Sequence, residues 1–517
     1  MNFILNLPFI CILLTLFSGP ISLLFRRKTA KRINLFIIIA TGIMSAVVFG
    51  YTAYTKETYV YRMGHFSAPW GNEIRFGVLE AGLALFFCFI MLLSMLGGIK
   101  EREEELEHGK QNLYYIMVNL LLTSLLALVY TNDLFTAYVF VEINTIAACG
   151  LIMIRQSGRT LVASTRYLVM SLLGSGMLLL GICFLYTLTG NLLMSNIQEQ
   201  VKLMNANGTY HTQLIIAIAL MSVGLAVKSA LFPFHTWLPD AYGYSTVSSA
   251  AMLSSLVSKG YIFLIIKIFY RVISLYVVQE SHVLNVFFVF GIAAMIVGSL
   301  DAIQEHDILR MIAYSSVAQV GYIYMGLGLG TDLGTVASIY HILSHAATKS
   351  LLFVSANSLI QVSGDSKSYD DLTGAGYRNK LAGIAFTVGS VSMVGVPMFS
   401  GFMSKVLFAQ AAIGHSVKML PTMIALAIST LLNAIYFMKT VIRIYTPSTI
   451  KEELRDLPKG SPLVHQNDES VPNTEMLASK EPLKSVVFLC FIALNLFLGM
   501  FSDPIIDMIK TGLSLFS

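Results

Sequence analysis

Residues 223–242 read VGLAVKSALFPFHTWLPDAY and place a lysine, Lys228, inside a run of small and apolar residues. Two prolines, Pro233 and Pro239, follow within the same run. Proline removes a backbone donor and clashes with the preceding helical turn, so a helix through this stretch opens close to Lys228. The carbonyl groups freed by the break can hold water or an ion inside a membrane. We therefore predict an interrupted helix that carries a buried ammonium group beside a hydrated gap.

The composition around this stretch is that of a membrane protein. The chain has 517 residues, of which 56% are hydrophobic and 12% are charged, whereas soluble domains carry about 25% charged residues. Apolar runs of about 18 residues or more recur, which is long enough for helices that cross a bilayer and too long for barrel strands. We predict an all-α polytopic membrane protein. The net charge of +5 is small and gives no reason to expect nucleic acid as a partner.

The apolar runs predict about fourteen transmembrane helices. The predicted spans are residues 3–25, 33–54, 77–99, 112–130, 132–154, 164–188, 214–241, 245–272, 284–303, 308–330, 333–362, 380–413, 420–445 and 484–511. The basic cluster RRKTAKR at 26–32 follows the first span. By the positive-inside rule it places the first loop inside, the loops 55–76 and 189–212 outside, and both termini outside. The predicted location is the inner (cytoplasmic) membrane.

The order of features repeats along the chain. TNDLFTAYVF begins at 131 and EHDILRMIAY at 305, which places Asp133 and Asp307 at similar helix starts. Each half then ends in a proline-interrupted span, the second at VGVPMFSGF, residues 394–402. A repeat of five spans has an odd number of crossings and must be inverted in the membrane. Paired interrupted helices in inverted halves indicate an ion or substrate path near the middle of the membrane.

These features divide the chain into five predicted segments. They are three N-terminal spans (1–111), a first five-helix repeat (112–275), a second inverted repeat (283–446), a polar cytoplasmic loop (447–483) and a C-terminal span (484–517).

Ionisable side chains inside the spans are the candidate functional residues, because burying them in a membrane is costly. The candidates are Glu142, Lys228, Lys259, His341, His345, Lys349 and Lys405. His341, His345 and Lys349 are spaced by four residues and share one helix face, which favours a functional role. Two alternatives remain. A lone buried histidine is usually a packing residue, and the long side chain of Lys349 could extend to the membrane–water interface. Lys267 and Lys439 lie nearer to span ends, where snorkelling to the surface is the better account.

Glu142 and Lys228 are the predicted central pair. Burial disfavours the charged form of a lysine and a neighbouring carboxylate favours it, so a proton arriving nearby switches the lysine between its two states. This requires that the two helices meet. The alternative is a kinked helix with a snorkelling lysine.

Four motifs in order resemble a known family. They are KSALFPFHTWLPDAY (228–242), AYSSVAQVGYIYMGLG (313–328), HILSHAATKSLLF (341–353) and GVPMFSGFMSKVLF (395–408). The chain resembles the antiporter-like subunits shared by respiratory complex I, membrane-bound hydrogenases and Mrp-type cation/proton antiporters, over most of its length and most strongly from 112 to 445. The resemblance implies fourteen helices, inverted repeats in spans 4–8 and 9–13, and broken helices 7 and 12.

The resemblance also implies roles for individual residues. The carboxylate of the family's fifth helix falls on Glu142, and the lysines of helices 7 and 8 fall on Lys228 and Lys259. The helix-eleven histidine falls on His345, and the charged residue after the helix-twelve break is Lys405. Some complex I relatives have glutamate at this last position, so lysine favours the hydrogenase type and the D type of Mrp antiporter component.

Two features depart from the family pattern. An acidic residue that often precedes helix three is replaced around Gly77, within MGHFSAPWGNEIRFGVLEA. No long amphipathic lateral helix follows the fourteenth predicted span, which favours the D, M or N type over the longest type in the family.

The implied function is translocation of protons, sodium ions or both within a multi-subunit complex. That complex is either an Mrp-type antiporter or a redox-driven pump. The implied partners are the lipid bilayer, further antiporter-like and small membrane subunits and, for a redox complex, peripheral iron–sulfur or hydrogenase subunits. The alternatives are a structural subunit that anchors redox partners and an independent permease; a line of titratable groups argues against both.

The sequence contains no CxxC framework, haem motif or nucleotide-binding glycine loop. No cofactor or metal is therefore predicted for this chain, and whether it serves as the pumping subunit of an oxidoreductase is left open.

Overall fold

The computed structural model describes residues 2–66, 71–107, 109–414, 417–447 and 482–516, and these are mostly helical. The helices are α1 Asn2–Ser22, α2 Arg27–Thr55, α3 Val78–Gly97, α4 Ile99–Glu105, α5 Lys110–Tyr130, α6 Leu134–Met153, α7 Gly158–Thr189, α8 Met194–Ala206, α9 His211–Lys228, α10 Leu238–Tyr244, α11 Val247–Ile273, α12 Leu275–Glu280, α13 Val283–Gln304, α14 Ile308–Gly328, α15 Asp332–Gln361, α16 Ala375–Arg378, α17 Lys380–Val394, α18 Ser400–Ile413, α19 Met419–Tyr445, α20 Pro482–Met500 and α21 Ser502–Ser514. The predicted polar loop 447–483 lies almost entirely outside the described residues.

Eleven helices in the described part of the chain are long and apolar enough to cross a membrane. They are α1, α2, α3, α5, α6, α7, α9, α11, α13, α19 and α20, with α1 counted from Ile4. Helices α14 and α15 are also long, at 21 and 30 residues, but they are more polar. The prediction of a helical, multi-pass membrane protein is confirmed, while the count of fourteen spans and the inverted repeats remain predictions.

The chain leaves helical geometry directly after Lys228. Helix α9 ends at this residue and α10 begins at Leu238. Ala230 in between has a left-handed backbone with φ 61°, and Pro233 supplies no amide donor. The stretch predicted as one span, 214–241, is therefore two helical pieces joined by a non-helical connection.

A similar interruption separates α17 from α18. Helix α17 ends at Val394, Gly395 follows with φ 90°, and α18 begins at Ser400. Glycine is favoured here because left-handed backbone is strained for other residues, and because a Cβ at Gly395 would lie 2.9–3.2 Å from the side chain of Lys405. The turn thus gives this lysine room to fold back over the end of α17.

Helices α7 and α9 cross at a pair of glycines. A Cβ at Gly174 would lie 2.6 Å from the carbonyl oxygen of Gly224 and 3.0 Å from Cγ of Lys228. Small residues let helix backbones approach closely inside membranes. The crossing therefore holds the stem of Lys228 against α7.

Asp133 and Asp307 both stand at helix starts, as the sequence predicts. The carboxylate of Asp133 accepts the amide hydrogen of Thr136 at 2.6 Å, and that of Asp307 accepts the amide of Leu309 at 2.8 Å. Each aspartate therefore caps the N-terminus of its helix, α6 or α14.

Two elements lie inside stretches predicted only as outside loops. The antiparallel strands β1 (Tyr59–Arg62) and β2 (Glu73–Phe76) form a hairpin before α3. Helix α8 occupies most of the Gly/Asn-rich stretch 189–212 and buries Met194, Ile197 and Val201. Its apolar positions are too few for a span, which is why hydropathy does not reveal it.

Candidate functional site

Lys228 is fully buried at the end of α9. Its ammonium group donates a hydrogen bond to Thr145 Oγ1 at 2.6 Å. Glu142 is half-buried, lies one helical turn before Thr145 on α6, and acts on Lys228 through its charge. No direct ion pair joins the two among the described residues. Lys228 therefore contacts the helix that carries Glu142 through Thr145, and not through Glu142 itself.

Tyr261 connects Lys228 to α11. The ammonium of Lys228 lies 5.4 Å from the centroid of the Tyr261 ring. The Tyr261 hydroxyl donates to Asn144 Oδ1 at 2.8 Å, and the Asn144 amide donates to Ser124 Oγ at 2.8 Å. Lys259 precedes Tyr261 by two residues on the same helix, so its side chain leaves α11 in a different direction.

Lys259 is buried in the middle of α11 and donates a hydrogen bond to the carbonyl of Ser254. The turn before it, Leu253–Val257, is π-helical, a distortion that is frequent at functional sites. Helix α11, which carries Lys259, packs against α15, which carries His345 and Lys349.

His341 and His345 stack on each other on α15. Their ring centroids are 5.9 Å apart and their planes differ by 7°. Nδ1 of His341 is 3.0 Å from Ser404 Oγ. Within the described residues, Nε2 of His341 and both ring nitrogens of His345 are buried without a hydrogen-bond partner. A neutral imidazole carries one ring proton and can accept one more, so each of the two histidines has room for one additional proton.

Lys349 is fully buried and does not reach an interface. Its ammonium donates to the carbonyl of Ile312 at 2.7 Å and to Ser315 Oγ, both on α14. It therefore belongs with the histidines of its own helix face, as the spacing of four predicts.

Lys405 is half-buried on α18, next to the second helix interruption. Its ammonium donates to the carbonyl of Val394 at 2.6 Å and to Thr430 Oγ1 at 2.9 Å. It also lies 5.7 Å from the centroid of Tyr322, whose ring stacks on His341 at 5.4 Å. An aromatic contact therefore links Lys405 to the histidine pair.

Direct contacts join the predicted site residues into two groups. The first contains Lys228 with Thr145 and Tyr261, and the second contains His345, His341, Tyr322 and Lys405. Among the described residues, no hydrogen bond, ion pair or ring contact joins Lys259 or Lys349 to either group. No group of three or more His, Cys, Asp or Glu side chains in the described ranges is arranged to hold a metal ion.

The snorkelling account of Lys267 is wrong, whereas Lys439 is exposed as snorkelling requires. Lys267 is fully buried on α11 and donates to the backbone carbonyls of Leu128 (3.2 Å), Val129 (3.0 Å) and Thr131. These carbonyls end α5 and have no intrahelical donors. A buried helix terminus, which hydropathy does not detect, holds this lysine inside.

A buried ion pair was also missed by sequence reasoning. Arg271 of α11 pairs with Glu80 of α3, and both side chains are about 1% exposed. The Glu80 carboxylate also accepts the amide of Gly77 at 2.9 Å. Two sequence signals could have indicated the pair of Arg271 and Glu80. Glu80 is an acidic residue near the start of α3, and Arg271 follows Lys267 by four residues on α11.

Two adjoining cavities of about 270 and 300 Å³ open at the opposite end of α11 and share Glu104, Gln361 and Asp365. Glu101, 4% exposed, lines the second cavity and pairs with Lys484. Burial raises the pKa of the Glu105 carboxyl in the same cavity, although Arg155 pairs with it. These polar cavities lie at the end predicted to face inside.

Comparisons with known proteins agree with this architecture. Residues 131–432 match the family model described as NADH:quinone oxidoreductase/Mrp antiporter, TM. The NADH-quinone oxidoreductase subunit N of Desulforudis audaxviator is 30% identical over 509 residues, which cover 97% of each chain. A Staphylococcus epidermidis protein whose name describes an antiporter subunit, mnhD2, is 30% identical over 408 residues, which cover 79% of this chain and 78% of the relative.

Two solved structures share the fold. A chain of the archaeal membrane-bound sulfane sulfur reductase superposes with a TM-score of 0.82 at 24% identity, covering 100% of this chain and 97% of the other. A chain of the Mrp complex from Dietzia sp. DQ12-45-1b superposes with a TM-score of 0.83 at 22% identity, covering 99% and 97%.

Proposed function

The chain belongs to the NADH:quinone oxidoreductase/Mrp antiporter family of membrane subunits, and on that premise we propose that it translocates protons through the membrane part of a multi-subunit complex. The observation that supports the proposal is the set of titratable side chains inside the helices, in which Lys228, Lys259, His341, His345 and Lys349 are buried and Glu142 and Lys405 are half-buried. Such groups are expensive in a membrane interior and are retained where ions move.

The chemistry of this set favours protons as the ion that it carries. Apart from Glu142, its members are lysines and histidines, which exchange protons. A charged lysine offers three donors and no acceptor, so it repels a sodium ion rather than binding it. Sodium transport by the complex would therefore use other oxygen-rich sites and be coupled to this relay.

Glu142 and Lys228 act as the first switch. A proton that neutralises Glu142 removes the negative charge that favours the ammonium form of Lys228. Lys228 then gives up its proton more readily, through Thr145 or towards Tyr261. The helix interruption after Lys228 supports this step, because an open turn admits water where a closed helix does not.

The central step uses repulsion between like charges. Lys259 lies on α11, which packs against the helix of Lys349 and His345. Like charges disfavour one another, so a proton entering at Lys259 favours a proton leaving on the far side. The stacked imidazoles of His345 and His341 connect this cluster to Tyr322 and Lys405. Lys405 then exchanges protons with the aqueous phase at the second helix interruption.

The number of membrane spans, their repeats and the orientation of the chain are part of the same proposal. We assign fourteen spans, with inverted five-helix repeats at 112–275 and 283–446 and breaks in helices 7 and 12. The chain resides in the cytoplasmic membrane with both termini outside, beside other antiporter-like and small membrane subunits. The cavity that is lined by Glu101 and Glu105 forms the inlet from the inside.

Replacement of one lysine in the relay and one outside it tests the proposal. Lys259→Met should reduce proton flux in membrane vesicles to background while the complex still co-purifies. The matched control is Lys439→Met, which removes an exposed lysine from another membrane helix and should leave flux unchanged. Normal flux in assembled Lys259→Met protein would refute the relay.

A further inference from the structure

Two further basic side chains, Lys267 and Arg271, follow Lys259 on α11 by eight and twelve residues. At 3.6 residues per turn these positions lie roughly 80° and 120° round the helix from Lys259, and Lys267 is about 12 Å further along the axis. All three side chains are buried, at 0–1% exposure. They therefore form an interior basic series that winds from Lys259 towards the end of the helix that we predict outside.

The far end of this series carries an excess of positive charge. Arg271 pairs with Glu80, and both side chains are about 1% exposed. Among the described residues, Lys267 has hydrogen bonds only to backbone carbonyls and no ion pair. Two basic side chains therefore lie beside one carboxylate. The three backbone carbonyls that accept from Lys267 hold its ammonium group in place.

An aromatic ring packs against the end of this basic series. Phe516 is fully buried, lies 3.8 Å from the guanidinium carbon of Arg271 measured to its ring centroid, and meets Phe263 edge-on at 6.2 Å. Phe263 lies halfway between Lys259 and Lys267 on α11. Arg75 donates to the carbonyl of Leu515 at 3.0 Å and so fixes the segment that carries Phe516.

We propose that Lys267, Arg271 and Phe516 form a cationic plug that prevents protons from leaving Lys259 directly along α11. Fixed positive charges raise the barrier to cations in membrane pores, and the ring fills the space that water would need. A proton on Lys259 must then take the lateral route to the histidines and Lys405. The role of Lys259 in this inference rests on the proposed function.

Passive proton leak is the property that the plug controls. Lys267→Gln keeps an amide donor for the α5 carbonyls and removes the charge, whereas replacing Arg271 would leave Glu80 buried and unpaired. A unit charge about 12 Å away at an effective dielectric constant of about 20 changes a barrier by roughly tenfold in rate. Vesicles with the assembled Lys267→Gln complex should therefore dissipate an imposed pH gradient about tenfold faster than wild type.

Further variants separate charge from shape. Lys267→Arg keeps the charge, so vesicles with this variant should hold a pH gradient as well as wild type. Phe516→Ala removes no charge, but its vesicles should leak protons faster. Adding Lys259→Met to Lys267→Gln should abolish the leak, because the route starts at Lys259. Assembled Lys267→Gln and Phe516→Ala complexes as tight as wild type would overturn the plug, as would a leak that survives loss of Lys259.

The leak assay stays independent of the proposed function. It uses vesicles without a driving reaction, whereas driven transport in the same vesicles reports on the relay. A Lys228→Ala complex that still transports would refute the relay, and a tight Lys267→Gln complex would refute the plug.

Discussion

Replacing Lys405 by arginine separates a proton carrier from a fixed charge. Lys405 donates to the carbonyl of Val394 and to Thr430 Oγ1, at 2.6 and 2.9 Å. A guanidinium group can keep hydrogen bonds to both acceptors and its position beside the Tyr322 ring. Folding and assembly should therefore survive, and any loss of transport should reflect the chemistry of the side chain.

The expected magnitude follows from proton affinity. The ordinary pKa of arginine lies about 2–3 units above that of lysine, so in the same surroundings a guanidinium loses its proton roughly 100- to 1,000-fold less often. If release from Lys405 is a required step, transport by Lys405→Arg should fall by at least about 100-fold. A structural role would tolerate arginine far better than alanine.

The assay is proton flux in membrane vesicles, with assembly checked by co-purification. Lys418→Arg provides a matched control, because Lys418 is also half-buried, donates to a backbone carbonyl (Gly328, 2.7 Å) and lies 5.4 Å from an aromatic ring, that of Phe288. The control should transport normally. Flux within about twofold of wild type in Lys405→Arg would show that Lys405 is a fixed charge and that the relay ends elsewhere.

Three smaller predictions use other contacts. His345→Leu should abolish flux without weakening assembly, since the imidazole of His345 has no hydrogen-bond partner among the described residues; retained flux would remove His345 from the relay. Ser404→Ala should slow flux about fivefold, because a hydrogen bond of about 1 kcal/mol orients His341, and an unchanged rate would contradict this. Asp240→Asn weakens the ion pairs of Asp240 with Arg166 on α7 and Arg310 on α14. It should lower the free energy of unfolding by about 1–2 kcal/mol and reduce the melting temperature. An unchanged melting temperature would show that these ion pairs do not stabilise the fold.

The sequence predicts those parts of the fold that depend on local chemistry. Long apolar runs identify the spans because a bilayer requires them, and prolines and glycines locate the interruptions after Lys228 and Val394. Asp133 and Asp307 were recognised as helix starts because capping depends on residues a few positions away. The sequence does not predict helix α8, because its few apolar side chains are buried by packing against α11, which is distant in the sequence.

The sequence predicts which residues belong to the candidate site, but it does not predict which of them contact each other. The cost of a charge in a membrane identifies Glu142, Lys228 and the α15 histidines. It does not show that Lys228 bonds Thr145 instead of Glu142, since that depends on how α6 and α9 cross. Lys267 illustrates the same limit, because the carbonyls that bury it belong to α5, more than a hundred residues earlier.

Proton flux through the Lys228→Ala complex tests the central claim most directly. Lys228 is fully buried beside the first helix interruption and donates to Thr145, one helical turn from Glu142. Purified wild-type and variant complexes would be reconstituted in vesicles, and the flux of each measured with a pH-sensitive dye. The relay predicts an assembled Lys228→Ala complex with flux at the level of empty vesicles; flux equal to wild type would contradict it.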